Sequence, residues 1–125
     1  MNSKLKIFGI VTSSNEDLRS WVPESYNDFS TYVLVYIGTK KGKGADIFTI
    51  LAASPLGLAG LVPKDGILYD RPLVVLEKYD DQILRRWIQK KVKECQRNSW
   101  EESLLQLRKT FRWEFEFEAN SKFSP

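Results

Sequence analysis

The side chains that most often carry catalysis or bind metals are nearly absent from this chain. Its 125 residues contain no histidine and a single cysteine, Cys95. Without histidine the chain lacks the commonest general base and metal ligand, and a Ser-His-Asp triad is impossible. One cysteine supplies too few sulfur ligands for zinc and excludes an internal disulfide. Because Cys95 follows the apolar spacing of a helix, we interpret it as a packing residue, and we expect no metal, cofactor or enzymatic activity.

A turn rich in glycine and lysine, GTKKGKG at 38–44, resembles a phosphate-binding loop at first sight. Such a loop needs Gly-x-x-x-x-Gly-Lys, then Ser or Thr, and leads into a helix. Here the step from Gly38 to Gly42 is one residue short, Gly44 stands at the hydroxyl position, and a strand-like run follows. We therefore predict a solvated hairpin turn whose glycines adopt positive φ. Its exposed basic tip, which could contact phosphate or an acidic protein, consists of Lys40, Lys41 and Lys43.

Two groups of carboxylates stand out in a chain that is basic as a whole, with a net charge of +3. Residues 111–118 alternate between aromatic and charged side chains, which predicts a strand whose charged side carries Glu114, Glu116 and Glu118. Such a row, spaced about 6–7 Å apart, lacks the cleft and the raised pKa of an acid/base pair. The second group lies in a polar loop at 13–28, around the aromatic anchor Trp21. Its carboxylates are those of Glu16, Asp17, Glu24 and Asp28.

Apolar periodicity divides the chain into strands and helices. Runs of β-branched and aromatic residues at 29–37 and 46–53 predict a hairpin, and its first arm is apolar on both sides, as expected of a central strand covered on both. Apolar residues recur at helical spacing in 80–97 and in 100–109, where Ser99 and Glu102 form a capping box. The other predicted pieces are strands at 4–12, 71–77 and 111–118, and a connection at 54–70 with a short extended piece at 66–69.

These elements predict an α+β fold, with a mostly antiparallel β-sheet of about five strands and two consecutive amphipathic helices packed on one face. We expect a single domain at 1–118 and a disordered tail at 119–125. The N-terminal apolar run is too short for a signal peptide, and no stretch approaches the roughly 20 apolar residues of a membrane helix. We therefore expect a soluble, cytoplasmic protein.

A nucleic-acid-binding module is one functional hypothesis. Tyr32, Tyr36 and Phe48 could stack bases on a sheet face while the lysines of the hairpin turn contact phosphate. The three glutamates of the final strand argue against it, because they would place negative charge beside that face and repel a polyanion.

The order of motifs in 11–58 resembles the immunity protein 8 family, small proteins that protect bacteria against polymorphic toxins of neighbouring or sister cells. Trp21-Val22-Pro23 precedes the strand that opens at Phe29, and Ile37-Gly38 with Lys41-Gly42 leads into Gly44-Ala45-Asp46-Ile47-Phe48. The chain departs from the family pattern at Ser54, where threonine is usual, and at Leu56-Gly57, where an aromatic-Leu pair is commoner. The motif residues are Trp21, Pro23, Phe29, Gly38, Gly42, Gly44, Asp46, Phe48 and Pro55.

The resemblance implies a non-enzymatic protein that binds the C-terminal domain of a cognate toxin and occludes its active site or its approach to substrate. The motif residues have structural explanations, since glycines permit turns, aromatics pack, and Asp46 can bond turn amides. As toxin contacts we predict the acidic loop with Trp21 and the acidic strand, which would complement a basic toxin such as a nuclease. A toxin with an acidic surface would instead favour the hairpin lysines and the face formed by Lys90, Lys91 and Lys93.

Overall fold

A computed structural model describes residues 4–70 and 72–117. Three strands form the antiparallel centre of the sheet: β1 (Leu5–Thr12), β2 (Ser30–Thr39) and β3 (Asp46–Ala53). β2 pairs with β3 over eight residue pairs, so the predicted hairpin is confirmed. β1 pairs with the other edge of β2, and its register shifts between Ile7 and Gly9. The resulting bulge places the Phe8 ring beside Gly38, 3.2 Å from where a Cβ of that glycine would lie.

The connection after β3 differs from the sequence prediction, because it begins with a short helix, α1 (Pro55–Leu61). Ser54 caps this helix, since its Oγ accepts a hydrogen bond from the Gly57 amide at 3.1 Å. Pro55 occupies the start of the helix, where its missing N–H has no partner to lose. The chain then runs without strand structure through 66–69 and enters β4 (Leu73–Val75), which pairs parallel with β3.

The final strand is much shorter than predicted. β5 (Arg112–Trp113) pairs antiparallel with the first half of β3, on the same edge that β4 occupies further along. At Glu114 the backbone N–H still donates to Ile47 O, but the side-chain Oε2 accepts from the Ile47 N–H at 2.7 Å. This carboxylate takes the position of the next backbone carbonyl, and the chain turns away. Glu118 and the tail at 119–125 lie outside the described residues.

Two longer helices follow β4, as predicted: α2 (Asp81–Cys95) and α3 (Trp100–Thr110). Asp80 caps α2, because its side chain accepts from two amides of the first turn. Ser99 caps α3 by accepting from the Glu102 amide at 3.1 Å and donating to the Glu102 carboxylate. No helix in the described part of the chain is long and apolar enough to cross a membrane.

The core lies between one face of the sheet and the two long helices. The sheet contributes the alternate residues of β2 and β3, and the helices contribute one stripe each. The largest buried members of this core include Val35, Ile37, Phe48, Ile50, Leu84, Ile88, Leu107 and Phe111. On the opposite face Tyr32 is 41% exposed and Tyr36 is half-buried, so the prediction that β2 is covered on both sides is wrong.

Candidate functional site

The acidic loop between β1 and β2 begins with a tight, internally bonded turn. The Thr12 amide donates to Glu16 O at 2.8 Å, and the Glu16 amide donates back to the Thr12 hydroxyl. Asn15 takes a positive φ of 67°, a conformation that asparagine tolerates better than most residues. The turn therefore sets the position at which Glu16 projects from the end of β1.

Aromatic contacts hold the middle of the loop against the core. The ring of Trp21 meets Tyr79 edge-on at 5.0 Å and Phe29 at 6.4 Å. The Tyr79 hydroxyl donates to the backbone O of Leu18 at 3.1 Å, and the Tyr26 ring stacks on Tyr79 at 6.3 Å. Burial raises the pKa of Tyr79 to about 12, with smaller effects of nearby charges. The predicted anchor role of Trp21 is thus seen, and the loop has a defined shape before any partner arrives.

The four predicted carboxylates of the loop are not equivalent. The Asp17 carboxylate forms a bidentate ion pair with the Arg19 guanidinium. The hydrogen bonds that the Arg19 side chain and amide donate lower the Asp17 pKa. Glu16, Glu24 and Asp28 are exposed and make no ion pair with the residues that the structure describes. These three are therefore available to meet a cationic partner, whereas Asp17 is partly neutralised.

The loop also lies beside the start of α2, which sequence reasoning did not connect with it. The Tyr79 amide donates to Tyr26 O at 2.7 Å, so Asp80 and Asp81 follow directly where the loop packs. Both aspartates act electrostatically on Tyr79, as does Arg85, which pairs with Asp81 at 3.0 Å. The sequence predicts a helix that begins at residue 80, but nothing local shows which loop packs against that end.

The second predicted acidic group is not the exposed row that alternation suggested. The Glu114 carboxylate accepts from the backbone of β3, as described above, and the Glu116 carboxylate makes two hydrogen bonds to the Arg108 guanidinium. The ion pair also raises the pKa of Arg108. Glu118 is not described, and no contact places Glu114 or Glu116 next to the acidic loop. Both glutamates have internal partners that compete with any contact to a toxin.

The family-motif glycines support the hairpin without positive φ. Among the described glycines only Gly66 has a positive φ, of 82°, so that part of the turn prediction is wrong. Gly38 is needed for close approach, because a Cβ there would lie 2.3 Å from Gly44 O. Asp46 accepts from the Trp113 indole at 2.9 Å, rather than from the turn amides that we predicted. Gly38 and Asp46 therefore have structural roles in the described fold, and a structural role for the other motif residues stays a prediction.

The hairpin lysines lie at the opposite end of β1 from the acidic loop. The Lys40 amide donates to Lys4 O at 2.9 Å, and the Leu5 amide donates to Gln96 Oε1 just beyond α2. The hairpin turn and the last turn of α2 therefore lie together at one end of the domain, and both carry lysines. Phe48 is fully buried on the helix face, so it cannot join Tyr32 in the base-stacking surface of the nucleic-acid hypothesis.

Cys95 is buried, as its helical spacing predicts, and burial raises its pKa, which disfavours the reactive thiolate. Within the described residues, histidine, cysteine and carboxylate side chains form no group that could hold a metal ion. The arrangement that remains is a rigid domain with charged surfaces of opposite sign, which suits recognition of a protein partner.

A family model described as Immunity protein 8 matches residues 5–117, nearly the whole chain and well beyond the motif-bearing part at 11–58. No match was found among curated proteins or among solved structures.

Proposed function

Since the chain belongs to the Immunity protein 8 family, whose members are immunity proteins against a toxin, we propose that it binds a cognate bacterial toxin domain in the cytoplasm. Neutralisation occurs by occlusion of the toxin's active site or of its path to substrate. The observation that carries the proposal is the family match over residues 5–117, which includes both helices as well as the hairpin motif. A binding role needs a preformed surface, and the anchored acidic loop supplies one.

The acidic loop is the contact that we propose for a basic toxin. Its exposed carboxylates would steer a cationic partner, and the aromatic cluster under the loop removes the cost of ordering it on binding. A nuclease fits this polarity, because an enzyme that holds a polyanion carries positive charge around its active site. Delivery of the toxin by a neighbouring cell, as in contact-dependent growth inhibition, belongs to the same proposal.

Co-expression tests the function. The chain would be expressed with each candidate toxin domain encoded next to its own gene, including any immediately upstream, and survival and co-purification would be scored. We expect rescue and a stable complex that persists at physiological salt. Death of the cells with the protein folded and expressed, and no complex on co-purification, would refute the proposal.

Charge reversal tests the contact face. Glu24→Lys with Asp28→Lys should weaken the complex at least about tenfold, because both carboxylates are exposed. The matched control is Glu77→Lys with Glu101→Lys, which reverses two exposed carboxylates outside the loop that form no ion pair with the described residues and should bind as the unaltered protein does. Equal binding by the double variant and the control would remove the acidic loop from the interface while leaving the antitoxin function intact.

A further inference from the structure

A groove of about 630 Å³ opens at the edge of the sheet where β4 and β5 both pair with β3. Its walls come from the segment before β4, from the last two turns of α3 and from β5. The charged and apolar side chains that line it include Tyr69, Leu105, Arg108, Lys109, Arg112 and Glu116. None of them belongs to the acidic loop, and only Glu116 figured among the residues that the sequence suggested.

The groove is cationic and its arginines are held in place. Arg108 makes two hydrogen bonds to Glu116, and its guanidinium lies 5.0 Å from the centre of the Trp113 ring. Arg112 pairs with Asp70 at 2.9 Å. Lys109 is exposed and forms no ion pair with the described residues, so it leaves the groove with excess positive charge. Because both guanidinium groups already have a carboxylate partner, the attraction for a ligand carboxylate comes from the Lys109 ammonium group.

The groove also presents exposed apolar surface. Two apolar side chains stand on opposite walls of the groove: Tyr69 is 81% exposed and Leu105 is 57% exposed. Exposed apolar side chains beside charged ones are typical of a surface that another protein covers, and tyrosine is among the residues that most often dominate such contacts.

We propose that the toxin domain inserts an acidic segment of its chain into this groove. A carboxylate of that segment meets the ammonium group of Lys109, and apolar neighbours of that carboxylate pack between Tyr69 and Leu105. This inference rests on the proposed function, since the toxin is the partner. The toxin would then place a basic region on the acidic loop and an acidic segment in the groove. Two contacts of opposite sign would fix the orientation of the bound toxin, because exchanging them would bring like charges together.

Matched variants of the full chain test the groove. Lys109→Glu reverses its unpaired charge, and Leu105→Ala removes one apolar wall. Their controls lie on α2: Arg86→Glu reverses another exposed charge, and Ile83→Ala truncates a side chain that is 56% exposed. Binding to a catalytically inactive form of the toxin domain that co-expression identifies would be measured by calorimetry at two salt concentrations, with thermal unfolding to verify the fold of each variant.

We expect Lys109→Glu and Leu105→Ala each to raise the Kd about tenfold or more, with both controls within about twofold of the unaltered protein. The effect of Lys109→Glu should shrink at higher salt, and that of Leu105→Ala should not. Unchanged affinity for both groove variants, with the unaltered protein binding tightly, would overturn the groove and leave the proposed function standing. Failure of the unaltered protein to bind would overturn both.

Discussion

Ser54→Ala should be one of the most costly small substitutions in this protein, because one buried hydroxyl serves two elements. The residue is fully buried. Its Oγ accepts a hydrogen bond from the Phe29 amide at 3.0 Å and another from the Gly57 amide at 3.1 Å. The first bond fixes the chain as it enters β2, and the second caps α1. Removal of the oxygen leaves both amides buried without that partner.

The magnitude follows from these two losses. Loss of a helix N-cap costs about 0.5–2 kcal/mol, and a buried donor left without a partner costs about 1–3 kcal/mol. Since α1 is short, we take the low end of the first range and expect Ser54→Ala to lower the free energy of unfolding by about 1.5–3.5 kcal/mol. This is a large fraction of the roughly 5–15 kcal/mol that stabilises a typical domain.

Urea unfolding followed by tryptophan fluorescence measures this loss, with the slope checked for constancy so that the midpoint shift reports stability. Ser54→Thr is the control, since it keeps the oxygen, and threonine is the residue that the family pattern prefers here. It should recover most of the loss. A cost below about 0.5 kcal/mol for Ser54→Ala, under the lower bound for a lost cap, would show that the two amides find other partners and would refute the reasoning.

Three further perturbations test other parts of the fold. Gly57→Ala should destabilise by about 2 kcal/mol or more despite alanine's helix propensity, because its Cβ would lie 1.8 Å from Phe29 O; thermal unfolding measures this. Burial raises the pKa of Tyr79 to about 12 in the folded state, above its unfolded value of about 10. The neutral phenol therefore stabilises the folded state, and this contribution is fully present at pH values below the unfolded pKa. That contribution should be lost as pH rises through the folded value, and alkaline urea midpoints of Tyr79→Phe should lack this decline. Asp80→Ala should cost about 1 kcal/mol through loss of the α2 cap, without a change in the chemical-denaturation slope.

Much of the fold could be predicted because its signals are local. The hairpin, both long helices and the Ser99 cap of α3 follow from side-chain period and from polar groups within one turn of a helix end. α1 was missed because seven residues with two glycines carry no clear period, and its cap, Ser54, also bonds to Phe29, 25 residues away. A pattern read along the chain does not contain such a contact.

The candidate site was predictable only in part, for the same reason. The sequence placed carboxylates in the loop at 13–28 and named Trp21 as their anchor, and that anchor is seen packed on Tyr79. It could not show that Asp17 is paired with Arg19 while Glu24 and Asp28 have no ion-pair partner in the described residues. Pairing depends on side-chain geometry, which residue type and spacing leave open.

What the sequence determined by itself is the kind of protein: an α+β domain without histidine, with a family motif that marks an immunity protein. Tertiary structure decided which surfaces are free. The alternation at 111–118 favours a long strand, yet the Glu114 carboxylate bonds to a β3 amide 67 residues away and the strand stops. The groove at that edge likewise exists only because β4 and β5 meet on one side of β3. Local period sets the elements, whereas contacts between distant residues set the surface that a partner meets.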